Sequence, residues 1–508
     1  MHDKLAAAKL TVLTTLPGNH MKQPIFINCS LAKKKVPLKP LEEHVVKLYA
    51  CGVTVYDDCH IGHAMQALFF DMIRKFLRYV GYQVIYVRNY TDVDDKIIDR
   101  AAKLGMSPKA LAEKIIESCQ NDFARLGIEP ADFEPKVSTS IPEIIEMIES
   151  LISQGFAYKT TDGDVYYRVR EKADYGKLSN RSLDAMKSGS RNIIEGDKEE
   201  LSDFALWKKD DTKDASWDSP WGKGRPGWHI ECSAMAKKCL GPSIDIHGGG
   251  RDLIFPHHEN EIAQSEAANQ CAYASIWMHS GLLTINKQKM SKSLGNSISI
   301  AGFLQKWPSE VLRLSFLTNH YASPIDFGDE VFVRSLKRLL YYYQTLLELK
   351  QEIETSPNSQ TLPSDLTELK QDFIKVMSED FNTPEGFVIL NKACKLAKQW
   401  LANPKRLEQQ ERGQGLLALI LELASVFSLL GNDPESFIAE LKKLGLSSMS
   451  LTEEEILALI KKRTEARAAK NWQLGDEIRE KLLAQGIMIN DRPNGTDWLF
   501  SFESRTES

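Results

Sequence analysis

Residues 45–87 carry the pattern that most restricts the fold of this chain. Residues 45–50 form a short apolar run that is typical of a strand, and residues 83–87 alternate like a second strand. Between them, apolar residues recur at helical spacing from 64 to 80, and Gly81 ends the run. Strand, helix and strand in this order predict a βαβ unit and hence a parallel sheet. Since such sheets bind ligands at the carboxyl ends of their strands, the loop after the first strand is the first place to seek a site.

The composition excludes several classes of protein. The chain has 508 residues, 43% hydrophobic and 26% charged, which is typical of a globular protein of several domains. A net charge of -5 excludes a uniformly basic nucleic-acid binder but allows a local basic patch. No apolar run approaches the roughly 20 residues of a membrane helix. Lys4 and Lys9 interrupt the apolar start of the chain, unlike in a secretory signal.

The eight cysteines are scattered along the chain, without the dense spacing of a small disulfide-rich scaffold. In a chain of this size, that distribution indicates reduced and mostly buried thiols. We therefore expect a cytoplasmic protein with no membrane contact, in which one or two cysteines bind a metal.

Two short motifs suggest phosphate chemistry. The first, His60-Ile61-Gly62-His63, stands where the strand-to-helix loop meets a helix N-terminus, which favours an anion. The second, residues 286–293, includes Lys289 and Lys292, whose ammonium groups can meet the charge of a polyphosphate. Taken singly, two surface histidines and a solvated lysine-rich turn explain these residues equally well. Together, and in this order, the two motifs resemble the HIGH and KMSKS signatures of class I aminoacyl-tRNA synthetases.

A third group of residues suggests a metal site. His257 and Glu261 are four residues apart after Pro256, so a helix that begins there places both side chains on one face. Cys51 ends the first predicted strand, and Cys232 is a candidate for the fourth ligand. Two thiolates, one imidazole and one carboxylate suit Zn²⁺. Buried structural thiols and an ordinary helix pair are the alternative.

Longer blocks of the sequence favour the metal site over buried structural thiols, because they resemble a known family. Residues 51–57, 88–96, 224–235, 245–264, 380–384 and 495–498 are similar to cysteinyl-tRNA synthetases, and the similarity runs from about residue 22 to 499. In that family, zinc lies in the cysteine-binding pocket, and its ligands fall on Cys51, Cys232, His257 and Glu261. The resemblance implies one Zn²⁺ per chain, with Mg²⁺ accompanying ATP.

The physical need for zinc follows from the substrate. Cysteine and serine differ only by sulfur against oxygen, and an apolar pocket separates such near-isosteres poorly. Zinc binds a thiolate strongly and a hydroxyl weakly, so it can select cysteine without an editing domain. We see no editing domain in the sequence.

The resemblance also assigns the remaining site residues. Gly52, Thr91 and Trp228 correspond to the pocket for the amino acid, although a tryptophan there fits a plain core equally well. His247, Gly249 and Asp252 resemble the adenosine-side loop. His60 and His63 are expected to be catalytic and to bind ATP. Lys292 is the first choice for the mobile phosphate contact, and Lys289 is the second. Met65 stands where many members of the family carry Arg.

The C-terminal end suggests RNA binding. The segment 461–481 has seven basic and four acidic residues, a local charge of +3, and it contains Trp472; Trp498 follows later. A basic helix beside an exposed aromatic suits single-stranded RNA, whereas Trp472 in a small core is the alternative. Thr452 and Glu455 predict a helix N-terminus with a capping box.

The predicted fold class is α/β: a Rossmann-type parallel-sheet catalytic domain with an insertion, followed by an α-helical bundle and a small C-terminal domain. The expected segments are an N-terminal extension (1–21), the two halves of the catalytic domain (22–134 and 224–275), a connective insertion (135–223), a KMSKS-loop region (276–330), a helical bundle (331–449) and an anticodon-binding domain (450–508). The expected activity is ATP-dependent ligation of L-cysteine to tRNA(Cys) by a monomer.

Three other functions fit parts of the pattern. The nearest is an ATP-dependent cysteine ligase with a small-amine acceptor, which is expected to lack residues like 450–508. A zinc hydrolase leaves the lysine loop unexplained. A noncatalytic tRNA-binding relative does not explain why both signature motifs are intact.

Overall fold

The structure is a computed structural model that describes residues 23–181, 198–210, 215–289, 296–353, 362–446, 451–492 and 495–500. The chain divides into two compact units. The first contains residues 1–282 together with the short segments 320–324 and 374–383, and the second contains residues 283–319, 325–373 and 384–508. Two segments that are remote in sequence therefore return to the first unit.

The first unit is mixed α/β. Its elements, in chain order, are β1 (Phe26–Cys29), β2 (Lys34–Pro37), β3 (Val45–Thr54), α1 (Ile61–Tyr79), β4 (Gln83–Thr91), α2 (Asp95–Leu104), α3 (Pro108–Arg125), α4 (Ile141–Ser153), β5 (Ala157–Lys159), β6 (Val165–Tyr167), β7 (Phe204–Lys209), β8 (Gly224–Pro226), α5 (Trp228–Leu240), β9 (Ile244–Gly250), α6 (Glu259–Asn269) and β10 (Ala274–Ser280).

The central sheet has the strand order β10-β9-β3-β4, and every pair in it is parallel. The predicted βαβ unit is confirmed as β3, α1 and β4. Both strands run past their predicted ends, because the apolar runs at 45–50 and 83–87 mark only the parts that pair most regularly. The strands end together at one edge, and the loops that follow β3 and β9 lie there.

Helix α1 packs against the sheet and is buried over most of its surface. Residues 67–74 are buried without a break, and they include the polar Asp71 and Arg74 beside the apolar Leu68 and Met72. The helix ends at Tyr79, and Gly81 follows with a positive φ of 105°, which is easily adopted only by glycine. The helix thereby fixes the loop at its N-terminus against the carboxyl edge of the sheet.

Residues 157–226 form a separate antiparallel sheet with the order β5-β6-β7-β8. Tyr167 and Trp207 are fully buried in it. Strand β6 follows the turn at Gly163, which has a positive φ of 101°. Strands β5, β6 and β7 lie within the predicted insertion (135–223). Strand β8 occupies the three residues after the predicted end of the insertion, just before α5.

The second unit is mostly helical. Its elements are β11 (Leu283–Ile285), β12 (Gln288–Lys289), α7 (Ile300–Lys306), α8 (Ser309–Leu317), β13 (Ile325–Phe327), α9 (Asp329–Glu352), α10 (Ser364–Met377), α11 (Thr383–Ala402), α12 (Gln410–Val426), α13 (Pro434–Leu446), α14 (Glu453–Ala468), α15 (Trp472–Ala484), β14 (Ile487–Arg492) and β15 (Gly495–Phe500). The last residues of α10 and the first residue of α11 belong to the first unit.

The C-terminal helices are held by local contacts. The predicted capping box at Thr452 and Glu455 is confirmed at the start of α14. The predicted basic helix is in fact a pair, α14 and α15, because Lys470 has a positive φ of 58° between them. Asp491 of the β14–β15 hairpin accepts hydrogen bonds from both terminal nitrogens of Arg463, at 2.7 and 2.9 Å.

No helix in the part of the chain that the structure describes is long and apolar enough to cross a membrane. The prediction of reduced thiols is wrong for Cys59 and Cys119, which form a disulfide. Folding brings the loop before α1 beside α3, so that the two Cα atoms lie 5.7 Å apart, a separation invisible in the sequence.

Candidate functional site

A bulge in β3 shapes the first part of the site. The pairing of β3 with β4 shifts register between Ala50 and Val53, which leaves Cys51 and Gly52 outside the regular ladder. The Gly52 N–H donates to Asn89 Oδ1 at 2.8 Å. A Cβ on Gly52 would lie 1.6 Å from the carbonyl oxygen of Asn89, so glycine is required there. The bulge thus forms at the carboxyl end of a central strand.

Four side chains from three elements meet beside this bulge. Cys232 lies on α5, His257 in the turn that leads into α6, and Glu261 in the first turn of α6. The Cys51 sulfur lies 3.8 Å from the Cys232 sulfur and 3.4 Å from Glu261 Oε1. His257 Nε2 lies 3.0 Å from the same oxygen. One donor atom from each residue lies within 4.8 Å of the others, and all four residues are buried.

The charges of this cluster suit a cation. Burial raises the pKa of Cys51, while the hydrogen bond from Cys51 lowers the pKa of Cys232 to about 6. Burial opposes ionisation of Glu261, but the neighbouring His247 and His257 outweigh it and hold its pKa well below the usual range. Burial lowers the pKa of His257, but Glu261 outweighs it and raises that pKa to about 10. These neighbours favour the ionised forms of the Cys232 thiol and of the Glu261 carboxyl.

The donor set fits zinc. Zn²⁺ prefers sulfur and nitrogen ligands and accepts one carboxylate, whereas Mg²⁺ and Ca²⁺ are bound by oxygen. Two sulfurs, one imidazole and one carboxylate match that preference, and the four predicted ligands are brought together by the fold. The helix predicted to carry both His257 and Glu261 begins later than expected, at Glu259, and His257 lies in a π-helical turn before it.

Two further side chains contact the second carboxylate oxygen of Glu261, Oε2. His247 on β9 lies with Nε2 2.7 Å from Glu261 Oε2, and the Tyr273 hydroxyl donates to the same oxygen at 3.4 Å. The His247 ring also stacks on Trp277 at a centroid distance of 4.3 Å. His247 is completely buried and supports Glu261, and its place in the adenosine-side loop stays a prediction. These contacts orient one Glu261 oxygen toward Cys51 and His257.

A second imidazole also reaches the cluster. His258 Nε2 lies 3.3 Å from the Cys51 sulfur, and its Nδ1 lies 2.8 Å from Nε2 of His279. Donor atoms of Cys51, His247, His258 and Glu261 form an overlapping group within 4.8 Å. We assign the predicted metal to the group that contains Cys232, because that group supplies two sulfurs. The sequence reasoning missed His258, His279 and Tyr273, and the adjacent pair His257-His258 was the only available signal.

Trp228, one of the residues predicted for the amino-acid pocket, contacts the cluster. The Trp228 ring stacks on His257 at 4.3 Å and remains 40% exposed, so the alternative of a plain core residue is wrong. The Thr91 hydroxyl donates to Glu231 Oε2 at 3.2 Å, and Glu231 is buried. Burial raises the pKa of Glu231 well above its usual value. An exposed ring therefore stands at the entrance to a buried polar cluster.

His60 and His63 lie where the helix N-terminus was expected. His60 is the N-cap of α1, and each histidine hydrogen-bonds the other's backbone N–H through Nδ1 at 3.4 Å. The two rings stack with centroids 3.7 Å apart. The first N–H groups and the dipole of a helix attract anions, and the binding of phosphate by this pair stays a prediction. Met65, two residues after His63, is buried.

The remaining predicted residues divide between the two units. Gly249 is in β9, where a Cβ would lie 2.6 Å from the His258 ring, and Asp252 is exposed in the turn Arg251–Leu253 after that strand. Lys289 is the last residue of β12 in the second unit. Lys292 lies outside the described residues. The roles of these four residues remain predictions.

The comparisons with known proteins point to one family. The model for the tRNA synthetases class I (C) catalytic domain matches residues 37–337. The model for the cysteinyl-tRNA ligase anticodon binding domain matches residues 451–498, and the DALR domain matches residues 372–431. The cysteine–tRNA ligases of Thermodesulfovibrio yellowstonii and Francisella tularensis subsp. novicida are each 45% identical to this chain. These two alignments cover 92% and 93% of this chain and 98% and 99% of the relatives.

Solved structures give the same fold. The methionyl-tRNA synthetase of Mycobacterium tuberculosis, in complex with methionyl-adenylate, superposes with a TM-score of 0.58 at 16% identity. The superposition covers 82% of this chain and 96% of that chain, and it confirms the predicted fold class. From the family models and the relatives together, the chain belongs to the cysteine–tRNA ligase family of class I aminoacyl-tRNA synthetases.

Proposed function

We propose that this chain activates L-cysteine with ATP and transfers it to tRNA(Cys). The observation that carries the proposal is the buried cluster of Cys51, Cys232, His257 and Glu261 beside the exposed ring of Trp228. A group of this kind explains how the enzyme recognises sulfur. The 45% identity to cysteine–tRNA ligases over nearly the whole chain supports the reaction.

The reaction has two steps. In the first, the carboxylate of cysteine attacks the α-phosphorus of ATP, and pyrophosphate leaves with the electrons of the broken P–O bond. In the second, a hydroxyl of the 3′-terminal adenosine of tRNA attacks the acyl carbon, and AMP leaves. We assign His60 and His63 to hydrogen bonds with the phosphates at the N-terminus of α1. Lys289 and Lys292 would meet the pyrophosphate charge, with Mg²⁺ accompanying ATP.

Selection of the amino acid is assigned to the metal cluster. When bound, zinc would take up the substrate sulfur as a thiolate, which a serine hydroxyl does not match. Trp228 would then cover the substrate, while Gly52 and Thr91 border it. Gly249 and Asp252 are assigned to the adenosine side. We further propose one zinc per chain and a cytoplasmic monomer, consistent with tRNA as the partner.

His247→Ala is expected to weaken zinc binding by about 10- to 100-fold, the usual effect of losing a group that orients a metal ligand. The reason is the 2.7 Å contact between His247 and the distal oxygen of Glu261. Competition between the purified protein and a chromophoric chelator measures the affinity without any turnover. His320→Ala, in which a half-buried histidine remote from the cluster is removed, is the control. Equal zinc affinity of His247→Ala and the unsubstituted protein would contradict the expectation.

The C-terminal helices carry the RNA part of the proposal. Trp472 begins α15 and is 58% exposed, with the Arg467 guanidinium 6.0 Å from its ring centroid. Trp498 is buried in the β14–β15 hairpin, so it is a core residue and not a second stacking platform. An exposed ring beside a cation suits a stacked base.

Trp472→Ala is therefore expected to raise the KM for tRNA without changing cysteine-dependent ATP–pyrophosphate exchange. Loss of one base stack costs about 1–3 kcal/mol, which corresponds to about 5- to 150-fold. Charging assays across a range of tRNA concentrations give the KM, and the exchange assay uses no tRNA. Leu407→Ala, which removes an exposed apolar side chain elsewhere, is the control. An unchanged KM for tRNA would remove Trp472 from the interface.

Exchange followed by charging tests the proposed function as a whole. We expect ATP–pyrophosphate exchange that depends on cysteine and transfer of the cysteine to tRNA. Exchange without transfer would favour a ligase with a small-amine acceptor. The absence of both activities would contradict the proposal.

A further inference from the structure

One buried aspartate belongs to neither the metal cluster nor the phosphate residues. Asp380 lies between α10 and α11, in the short segment 374–383 that returns to the first unit. It is 2% exposed. Asp380 and Phe381 both have positive φ angles, 64° and 51°. A non-glycine pair in this region, with Phe among them, is held there only when its surroundings compensate for the strain.

The surroundings of Asp380 are two other segments of the first unit. On one side is β1, where the Asn28 N–H donates to Asp380 Oδ1 at 2.8 Å and its side-chain amide donates to Oδ2. On the other side is the segment 320–324. There, the Tyr321 hydroxyl donates to Oδ1 at 2.7 Å, and His320 Nε2 lies 3.3 Å from Oδ2. Burial opposes the ionisation of Asp380, but these partners outweigh it and lower its pKa.

Backbone hydrogen bonds also join β1 to the segment 374–383. Phe26 N–H donates to the Ser378 carbonyl at 2.9 Å, and Asp380 N–H donates back to the Phe26 carbonyl at 2.8 Å. The Phe381 ring packs edge-on against Phe76 of α1, with centroids 6.0 Å apart. The segment is therefore fixed from three directions, and the carboxylate of Asp380 links β1 to residues 320–324.

Residues 320–324 in turn lie over the carboxyl ends of β9 and β10. Gly281 follows β10 directly, and its N–H donates to the Tyr321 carbonyl at 2.8 Å. A Cβ on Gly281 would lie 1.9 Å from the Ser323 carbonyl oxygen, so the two backbones touch. The Arg251 guanidinium donates to the Ala322 carbonyl at 3.3 Å. Arg251 belongs to the turn Arg251–Leu253, which carries Asp252 and follows Gly249 at the end of β9.

We propose that Asp380 is a positioning residue for ATP: its carboxylate fixes residues 320–324, which hold the turn after β9 at the adenosine side of the site. Along the chain, residues 283–319 leave the first unit after Leu282, and the chain returns to it at His320, the first residue of this segment. The signature lysines lie within residues 283–319. The inference rests on the proposed function, because it names ATP as the ligand of that turn.

Asp380→Asn tests the role of the carboxylate. Asn tolerates a positive φ as well as Asp does, so the backbone preference is kept. The new amide in place of Oδ2 would face the side-chain amide of Asn28 and lose that hydrogen bond, while His320 Nε2 keeps its 2.9 Å contact with the backbone carbonyl of residue 380. We expect kcat/KM for ATP in the exchange reaction to fall about 10- to 100-fold, because a small misplacement of the bound ATP has an effect of this size. The KM for cysteine and the zinc content should stay unchanged, because the metal cluster is not involved.

The matched variants separate positioning from general stability. Glu379→Gln changes the adjacent, half-exposed residue, whose partner is Lys35, and should leave all parameters unchanged. Asn28→Asp combined with Asp380→Asn restores an amide–carboxylate pair with its polarity reversed, and it should recover most of the lost kcat/KM for ATP. A residue that acted only through overall stability would lower the use of cysteine and ATP in proportion, and that result would overturn the proposal.

Amide hydrogen exchange gives a readout that needs no activity. In Asp380→Asn, the backbone of residues 249–253 and 320–324 should exchange faster than in the unsubstituted protein, with β3 and β4 unchanged. If Asp380→Asn does not fold, Tyr321→Phe removes a single hydrogen bond and should produce the same changes at smaller size. Unchanged exchange rates together with an unchanged KM for ATP would overturn the proposal. Failure of the unsubstituted protein to exchange pyrophosphate would instead contradict the proposed function.

Discussion

Replacement of Cys232 by serine is expected to release zinc and to reduce the preference for cysteine over serine to about 100-fold. That value is what a pocket without a sulfur-selective ligand achieves between near-isosteres. Cys232 supplies one of the two sulfurs of the cluster, and the hydrogen bond from Cys51 lowers the pKa of its thiol. A serine hydroxyl in the same place does not ionise and binds zinc weakly.

The measurement is the ratio of exchange activities with cysteine and with serine, together with metal analysis of the same sample. Cys239→Ser is the matched control, because Cys239 lies on the same helix, α5, and outside the cluster. It should retain zinc and selectivity. A Cys232→Ser protein that keeps both would show that this residue is not a ligand.

His63→Ala is expected to lower kcat for ATP–pyrophosphate exchange by about 100- to 1,000-fold. This is the usual loss when one preorganised donor to a developing charge is removed. His63 lies in the first turn of α1, where the backbone N–H groups and the helix dipole already favour phosphate, and its ring is fixed by stacking on His60. Zinc content and the KM for cysteine should not change.

Two controls accompany this prediction. His44→Asn removes an exposed histidine with a positive φ of 65°, which Asn accepts, and it should leave exchange unaffected. Since His63 also completes the capping box of α1, His63→Ala should lose about 1 kcal/mol of stability, which thermal unfolding measures. A kcat that falls only in line with that loss would assign His63 to capping alone.

The sequence predicted the elements that depend on local pattern. The helical spacing from 64 to 80 predicted α1, and the spacing of His257 and Glu261 predicted their contact at 3.0 Å. These features are readable because a helix places residues four apart on one face. That Cys51 and Cys232 join them was an inference from resemblance, since no periodicity connects positions 181 residues apart.

The parts that were not predicted depend on long-range packing. His247, Tyr273 and His258 approach the cluster from different elements, and nothing in their local sequence separates them from ordinary core residues. The return of residues 320–324 and 374–383 to the first unit is equally invisible, because each is a few residues long and apolar periodicity needs longer windows. The Cys59–Cys119 disulfide likewise depends on how α3 packs beside the loop before α1.

Selection of sulfur by a metal is the central claim, and removal of the metal tests it most directly. The unsubstituted protein is stripped with a chelator, and exchange is measured with cysteine and with serine before stripping, after stripping and after zinc is restored. We predict that stripping reduces the preference for cysteine over serine to about 100-fold and that zinc alone restores it. A metal-free protein that still activates cysteine and rejects serine as strongly as before would contradict the account.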